Sequence, residues 1–261
     1  MDSISNRQRK LLRKLQQKKY REKEQLFLVE GERAVEQVIE NGILMIEGLF
    51  FDERSALWQN SRWSERVAGL SSVAVDTDTF LELADTQNPQ GILALCQMPQ
   101  EADLDELAKN DGVIVATDRI QDPGNLGTIV RTAAWFDAIG LLLGKGTVDL
   151  FNPKVVRSTA GTTGALPFAN VDLQYTLNDF AERRWQILLL DASTGAENLR
   201  ALDTPAKTVL VIGNEANGID ASLLQGTNRR KIEIPSPAEK LKVESLNASI
   251  ALSIALYALA G

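Results

Sequence analysis

Two runs, Val113-Ile114-Val115-Ala116 and Val209-Leu210-Val211-Ile212, are apolar at every position. A strand with one wet face alternates apolar and polar residues, so runs without alternation fit parallel strands covered on both faces. Helical stretches separate runs of this kind along the chain, which predicts an α/β protein. In the first part, Leu26-Phe27-Leu28-Val29 reads as a buried strand ended by Glu30-Gly31, and a helix over Glu32 to Glu40 is stopped by Asn41-Gly42. Strands at Ile46 to Phe51, Val73 to Val75 and Ile92 to Gln97, with helices at Ser55 to Asn60 and Thr79 to Ala84, continue the alternation. Pro99 to Ala108 is acidic and poor in apolar residues, as a linker would be. The expected division is a smaller α/β domain over 1–98, a linker over 99–110 and a second domain over 111–261.

The 261 residues contain no histidine, so Ser-His-Asp triads, Cys-His pairs and His-ligated metal sites all lack a member. No metal is expected, and general-base work falls to Arg, Lys, a carboxylate or the substrate. One cysteine, Cys96, permits no intrachain disulfide, and its place in Gly91-Ile92-Leu93-Ala94-Leu95-Cys96 suggests an inert thiol in a buried strand. The longest apolar stretches, such as Ile187-Leu188-Leu189-Leu190, fall far short of the roughly 20 residues that cross a bilayer. Met1-Asp2-Ser3 runs straight into charged residues without the pattern of a secretion signal, so a cytoplasmic protein without membrane contact is expected.

A formal charge of −7 argues against indiscriminate coating of nucleic acid, because phosphate affinity comes from neutralising Lys and Arg. Any RNA contact must be local. Basic residues crowd the N-terminus, with Arg9, Lys10, Arg13, Lys14, Lys18, Lys19 and Arg21 as candidates. Leu11, Leu12 and Leu15 fall at helical spacing, which makes the segment an amphipathic helix with its cations in solvent. Charge alone leaves a phosphate-binding stripe and a merely solvated helix face equally open.

Three polar clusters follow apolar strands in the second part. After Val113 to Ala116 comes Asp122-Pro123-Gly124-Asn125-Leu126-Gly127-Thr128, a turn with Asn125 suited to cap the next helix. Thr128 and Arg131 share a face of that helix, which lets the guanidinium reach the C-terminal edge of the sheet where open parallel sheets bind ligands. An ordinary cap and a surface arginine would explain the same residues. After Val209 to Ile212 comes Gly213-Asn214-Glu215-Ala216-Asn217-Gly218, where two glycines allow close approach of a ligand to backbone, although a plain strand-to-helix turn also fits. Glu215 stands where a dinucleotide fingerprint needs its second glycine, and no P-loop is present. The third cluster begins at Ile232-Glu233-Ile234-Pro235 and ends at Ser245-Leu246-Asn247, with Ser245 suited to cap the last helix and Asn247 in its first turn. Amides at that helix start suit a carboxylate or phosphate.

In this order, Asn125-x-Gly127-x-x-x-Arg131, Gly213-Asn214-Glu215-x-x-Gly218 and Ile234-Pro235 with Ser245-Leu246-Asn247 resemble the three motifs of the SpoU/TrmH family of SPOUT RNA methyltransferases. Arg157 to Gly164, with Asn152 and Lys154, resembles the segment between the first two motifs, so the likeness covers the second domain. From Leu15-Gln16-Gln17-Lys18-Lys19-Tyr20-Arg21 to Phe27-Leu28-Val29-Glu30-Gly31 the first domain is similar to the family's N-terminal substrate-binding domain, related to RNA-binding ribosomal-protein folds. The resemblance implies a parallel sheet flanked by helices with a C-terminal trefoil knot, and a homodimer whose pocket draws on both subunits. It implies S-adenosyl-L-methionine as cofactor, held around Gly213, Asn214, Gly218, Ile234, Leu246 and Asn247. The implied reaction is methylation of a ribose 2′-hydroxyl, of ribosomal RNA ahead of transfer RNA, with the basic helix and Arg157 contacting the RNA. Arg131 would act at the hydroxyl or the adjacent phosphate, either electrostatically or, as proposed for the family, as base; the electrostatic role is favoured, since arginine stays charged in proteins, with Asn125, Asn247, Ser245 and Glu215 positioning substrate and loops. Two departures are visible: Ser236 to Glu244 is longer than the usual loop between the halves of the third motif, and Ala216 replaces a frequent glycine. A non-catalytic RNA-binding or ribosome-assembly protein of the same fold is the rival that the long loop favours, and a base methyltransferase is a second.

Overall fold

The structure is a computed structural model and describes residues 2–202, 206–236 and 245–260. In chain order the first elements are β1 (Asp2–Ser3), α1 (Asn6–Lys14), α2 (Lys18–Glu24), β2 (Leu26–Glu30), α3 (Glu32–Asn41), β3 (Ile46–Asp52), α4 (Ser61–Arg66), β4 (Ser72–Val75), α5 (Thr77–Leu83) and β5 (Ile92–Gln97). There follow α6 (Leu104–Leu107), β6 (Gly112–Asp118), α7 (Pro123–Trp135), β7 (Gly140–Gly144), α8 (Pro153–Ser158), β8 (Phe168–Val171), α9 (Leu173–Glu182), β9 (Gln186–Leu190), β10 (Glu197–Asn198), β11 (Lys207–Gly213), β12 (Arg229–Glu233) and α10 (Ala248–Leu259).

The chain forms two compact units, Met1–Gln100 with Asp149–Ala165, and Glu101–Val148 with Leu166–Gly261. The expected contiguous division differs in one segment. Residues 149–165 go with the first unit because their apolar side chains find partners there: Phe151, Val155 and Val156 are buried, and the Phe151 ring lies 4.9 Å from that of Phe27 on β2. The first unit holds a mixed sheet in the order β1-β4-β3-β5-β2, parallel except where β5 pairs with β3 and β2.

Its basic N-terminal segment is two helices rather than one. Arg21 explains the break. Its guanidinium turns inward, donates from Nη1 to the carbonyls of Leu15 and Gln16 at 2.8 and 3.0 Å, and pairs through Nη2 with Asp149. A cation thus satisfies carbonyls that the end of α1 leaves free. Arg21 is 3% exposed, so the expectation that it contacts RNA is corrected: it is a buried structural cation.

The two uniformly apolar runs become β6 and β11, neighbours at the centre of a seven-stranded sheet ordered β10-β12-β9-β11-β6-β7-β8. Every pairing in that sheet is parallel, and the β11–β6 register runs from Lys207↔Gly112 to Gly213↔Asp118. Trp185 is fully buried in this unit's core beside Phe180, and its Nε1 donates to the carbonyl of Ala108 at 3.4 Å. The expected linker therefore corrects in part: Leu107 and Ala108 are core residues, and α6 interrupts the stretch.

Cys96 lies in β5 with no exposed surface, and burial pushes its thiol up to about 12. The thiolate is the reactive form, so a disulfide reagent at pH 8 should leave the native protein unmodified and label one thiol per chain after denaturation. Fast labelling of the folded protein would contradict this burial.

Candidate active site

The C-terminal edge of the parallel sheet is where the three polar clusters arrive. The first is organised by Asp122, which caps α7 by accepting from the backbone N–H of Asn125 at 2.8 Å. Pro123 at the first helical position, its φ already helical, starts the helix three residues earlier than a cap at Asn125 would. Asn125 is therefore not the cap, and its carboxamide is free for other work. At α10 the cap is Asn247 instead of Ser245, because the Asn247 Oδ1 reaches the amides of Ser249 and Ile250 at 2.9 and 3.3 Å. Ser245 lies outside the helix and is exposed.

The two helix starts converge. Asn247 Nδ2 donates to Asn125 Oδ1 at 2.9 Å, and Asn125 Nδ2 donates to Glu215 Oε1 at 2.9 Å. An ionised carboxylate only accepts, so Glu215 forces the Asn125 amide nitrogen toward itself and leaves the Asn125 oxygen for Asn247. One negative charge thereby orients both carboxamides and leaves the Asn247 oxygen to cap α10. Ser249, buried, adds its hydroxyl to both, donating at 2.7 Å to Asn247 Oδ1 and 3.4 Å to Asn125 Oδ1. Sequence reasoning assigned Ser249 no role. Its signal was weak, a serine two residues past the true cap.

The second cluster is a closed loop. Asn214 and Gly218 exchange backbone hydrogen bonds at 3.0 and 2.9 Å, and the Asn214 Oδ1 accepts from the amides of Ala216 and Asn217, both at 3.0 Å. Gly213 is required by this closure: a Cβ there would sit 2.3 Å from the Gly218 carbonyl carbon. Ile234, half-buried, follows β12, while Leu246 is 46% exposed. The long segment noted in the third cluster falls mostly on residues 237–244, outside those described. Arg131 projects from α7 into solvent and has no ion-pair partner among the described residues.

In the first unit the expected RNA-contacting residues separate into three groups. Lys10, Arg13, Lys14, Lys18 and Lys19 are exposed on α1 and α2. Lys14 and Lys19 flank Tyr20, their ammonium groups 5.3 and 5.0 Å from its ring centre. Arg9 is engaged by Glu82 at 2.7 Å and Arg157 by Asp85 at 2.8 Å. Arg21 is buried, as described above.

Residues 112–257 match the model of the SpoU rRNA Methylase family. The chain belongs to that family. Residues 6–94 of this SpoU protein match the MRM3-like substrate binding domain. It is similar to the 23S rRNA (guanosine(2553)-2′-O)-methyltransferase RlmP of Bacillus subtilis, 33% identical over 264 residues that cover 100% of this chain and 99% of that one. Among solved structures it is similar to the SpoU methyltransferase AviRb of Streptomyces viridochromogenes in complex with AdoMet, with a TM-score of 0.82 and 26% identity over 98% of this chain and 97% of that one. The AdoMet-bound rRNA methyltransferase of Sinorhizobium meliloti gives 0.81 and 27%, over 99% and 96%. The SpoU chain is an S-adenosylmethionine-dependent RNA methyltransferase.

The residues at the sheet edge fit that cofactor. Leu246 is exposed and Ile234 half-buried, so both could meet apolar parts of such a molecule, and Ser245 and Leu246 make no backbone hydrogen bond to another described residue, so their main-chain groups would be available to its polar atoms.

Proposed function

We propose that this enzyme methylates a ribose 2′-hydroxyl of ribosomal RNA at the edge of the parallel sheet, with Arg131 beside the reacting oxygen. The hydrogen-bond chain from Asn247 through Asn125 to Glu215, which ties all three motifs together, carries the reading. Bound S-adenosylmethionine supplies an activated methyl group on a sulfonium, so no metal chemistry is needed to make the electrophile. Main chain around Gly213, Asn214 and Gly218, together with Ile234, Leu246 and Asn247, would hold it. The protein then has to align the oxygen and ease loss of its proton, and alignment alone is worth a large part of such a barrier. Asn125, Asn247 and Glu215, with donors and acceptors fixed by one another, keep the floor of the site rigid. Ser245, at the approach to α10, contributes main chain and hydroxyl at the rim. The Arg131 guanidinium, unpaired among the described residues, stabilises the negative charge that develops on the 2′-oxygen as its proton leaves to solvent. Liquid chromatography and mass spectrometry of nuclease-digested ribosomal RNA, after incubation with the enzyme and labelled cofactor, tests the reading. Label on a base, or no label, rejects it.

Lys10, Arg13, Lys14, Lys18 and Lys19 form the RNA-docking surface, with Arg9 and Arg157 in supporting positions already engaged by carboxylates. Reversing Lys10, Lys14 and Lys19 to Glu should raise the KM for RNA by about tenfold or more and flatten its salt dependence, while the cofactor Kd stays unchanged. An unaltered KM would remove this surface from the substrate path.

The enzyme works as a homodimer. Ile250, Ile254 and Tyr257 form an exposed apolar stripe at helical spacing on α10, and Trp135 at the end of α7 is 83% exposed. Apolar surface of this kind in a stable protein marks an association site, and a second copy presents the same stripe for an isologous contact. Ile254→Glu with Tyr257→Lys should give a monomer by light scattering, and retention of the dimer would place the interface elsewhere. A trefoil knot, implied by the family likeness, belongs to the same fold reading. No described helix is long and apolar enough to cross a membrane, and a cytoplasmic location goes with the proposed ribosomal substrate.

A further inference from the structure

Arg119 directly follows β6 with a φ of 56°, in the left-handed region that residues with a Cβ avoid. Such a conformation persists only where the surroundings hold it. Here they do so from several sides. The guanidinium grips the carboxylate of Asp118 twice, from Nε at 3.1 Å and Nη2 at 3.2 Å, and its Nη1 lies 3.2 Å from Asp220. Asp118, 5% exposed, also accepts from the backbone N–H of Asp220 at 2.8 Å, so the carboxylate joins the end of β6 to the chain just past the second motif. On the other side Gly146 lets the loop after β7 close over the arginine stem, since a Cβ there would meet Arg119 Cγ at 3.1 Å.

What this arrangement delivers is a carbonyl. The turned backbone aims the Arg119 oxygen at Asn214, whose Nδ2 donates to it at 2.8 Å. That contact fixes which way the Asn214 carboxamide points, and its Oδ1 then gathers the amides of Ala216 and Asn217. The same Nδ2 stands 3.4 Å from Glu215 Oε2, and so reaches the carboxylate that orients Asn125. Arg119 also begins the connection that leads to Asp122 and α7.

We infer that Arg119 is a positioning residue for the cofactor: its left-handed backbone, locked by Asp118 and Asp220, orients Asn214 and sets the shape of the Gly213 to Gly218 loop. The two carboxylates neutralise its charge, which removes it from the RNA-contacting surface. The inference rests on reading that loop as the cofactor's seat.

Substitutions that separate backbone from side chain test it. Asparagine and glycine accept a left-handed φ, and valine, branched at Cβ, does not. Calorimetric titration with S-adenosylmethionine, well below each variant's unfolding temperature, should show the Kd raised about tenfold or more in Arg119→Val and raised clearly less in Arg119→Asn and Arg119→Gly, which lose the carboxylate lock but still accept the turned backbone. Equal affinities across the series, or equal losses in all three, overturn the inference. Should Arg119→Val fail to fold, Asn214→Asp tests the same contact, since it keeps the acceptor for the loop amides and loses the donor to the Arg119 carbonyl. Its Kd should rise likewise, and an unchanged Kd overturns the inference. A wild-type protein that binds no cofactor overturns the reading of the loop itself, which an indifferent Arg119→Val in a binding-competent protein does not.

Discussion

Arg131→Ala should lower kcat for ribose methylation by about 10²-fold or more while the Kd for S-adenosylmethionine stays close to wild type; removal of one preorganised electrostatic donor at a developing oxyanion costs about 3–4 kcal/mol. The separation follows from position. Arg131 is exposed on α7, whereas the residues read as holding the cofactor lie on the loops after β11 and β12 and at the start of α10. Folding should be nearly unaffected, because the side chain is exposed and forms no ion pair among the described residues. Arg131→Lys preserves charge without the planar fork and should recover part of the rate. Single-turnover assays beside calorimetry read both quantities, and near-normal turnover in the alanine variant would remove Arg131 from the reaction.

The second large effect belongs to Gly213. An alanine Cβ would lie 2.3 Å from both the carbonyl carbon of Gly218 and the amide nitrogen of Ile219, and these are backbone atoms that no rotamer change can move. The loop must open, breaking the paired hydrogen bonds between Asn214 and Gly218. Overpacking of this kind costs about 1–3 kcal/mol or more, and the loss falls on the proposed cofactor loop, so affinity for S-adenosylmethionine should drop by about 10²-fold with a lowered unfolding temperature. Gly218→Ala is the control. Its Cβ would meet nothing within 4 Å and faces only the penalty of a φ of 64°, about 1–2 kcal/mol. If both variants bind as the wild type does, the loop does not hold the cofactor.

Much of this was legible in the residues because periodicity and burial speak locally. The runs at Val113 and Val209 lack polar interruption since β6 and β11 are covered on both faces, and the structure puts them side by side. Which residue caps a helix was less legible. Asp122 and Asn125 are both good caps, as are Ser245 and Asn247, and the choice depends on Pro123 presetting φ and on which side-chain oxygen reaches free amides. That Asn125, Glu215 and Asn247 meet could be expected only through the family likeness, because their separations of 90 and 122 residues exceed anything local pattern encodes. Arg21 shows the opposite limit. In sequence it is one basic residue among many, and its ion pair with Asp149 spans 128 residues, so nothing nearby announced that it turns inward. The same long-range pairing draws Asp149–Ala165 into the first unit, with no composition change to mark the boundary.

Asn247 has two duties in one carboxamide, starting α10 with its oxygen and steadying Asn125 with its nitrogen. Fraying of the first turn of α10 and loss of order in the catalytic floor are consequently a single event. The amide protons of Ser249 and Ile250, sheltered by that oxygen, become built-in reporters: their deuterium uptake should slow whenever an occupant of the site stiffens Asn125.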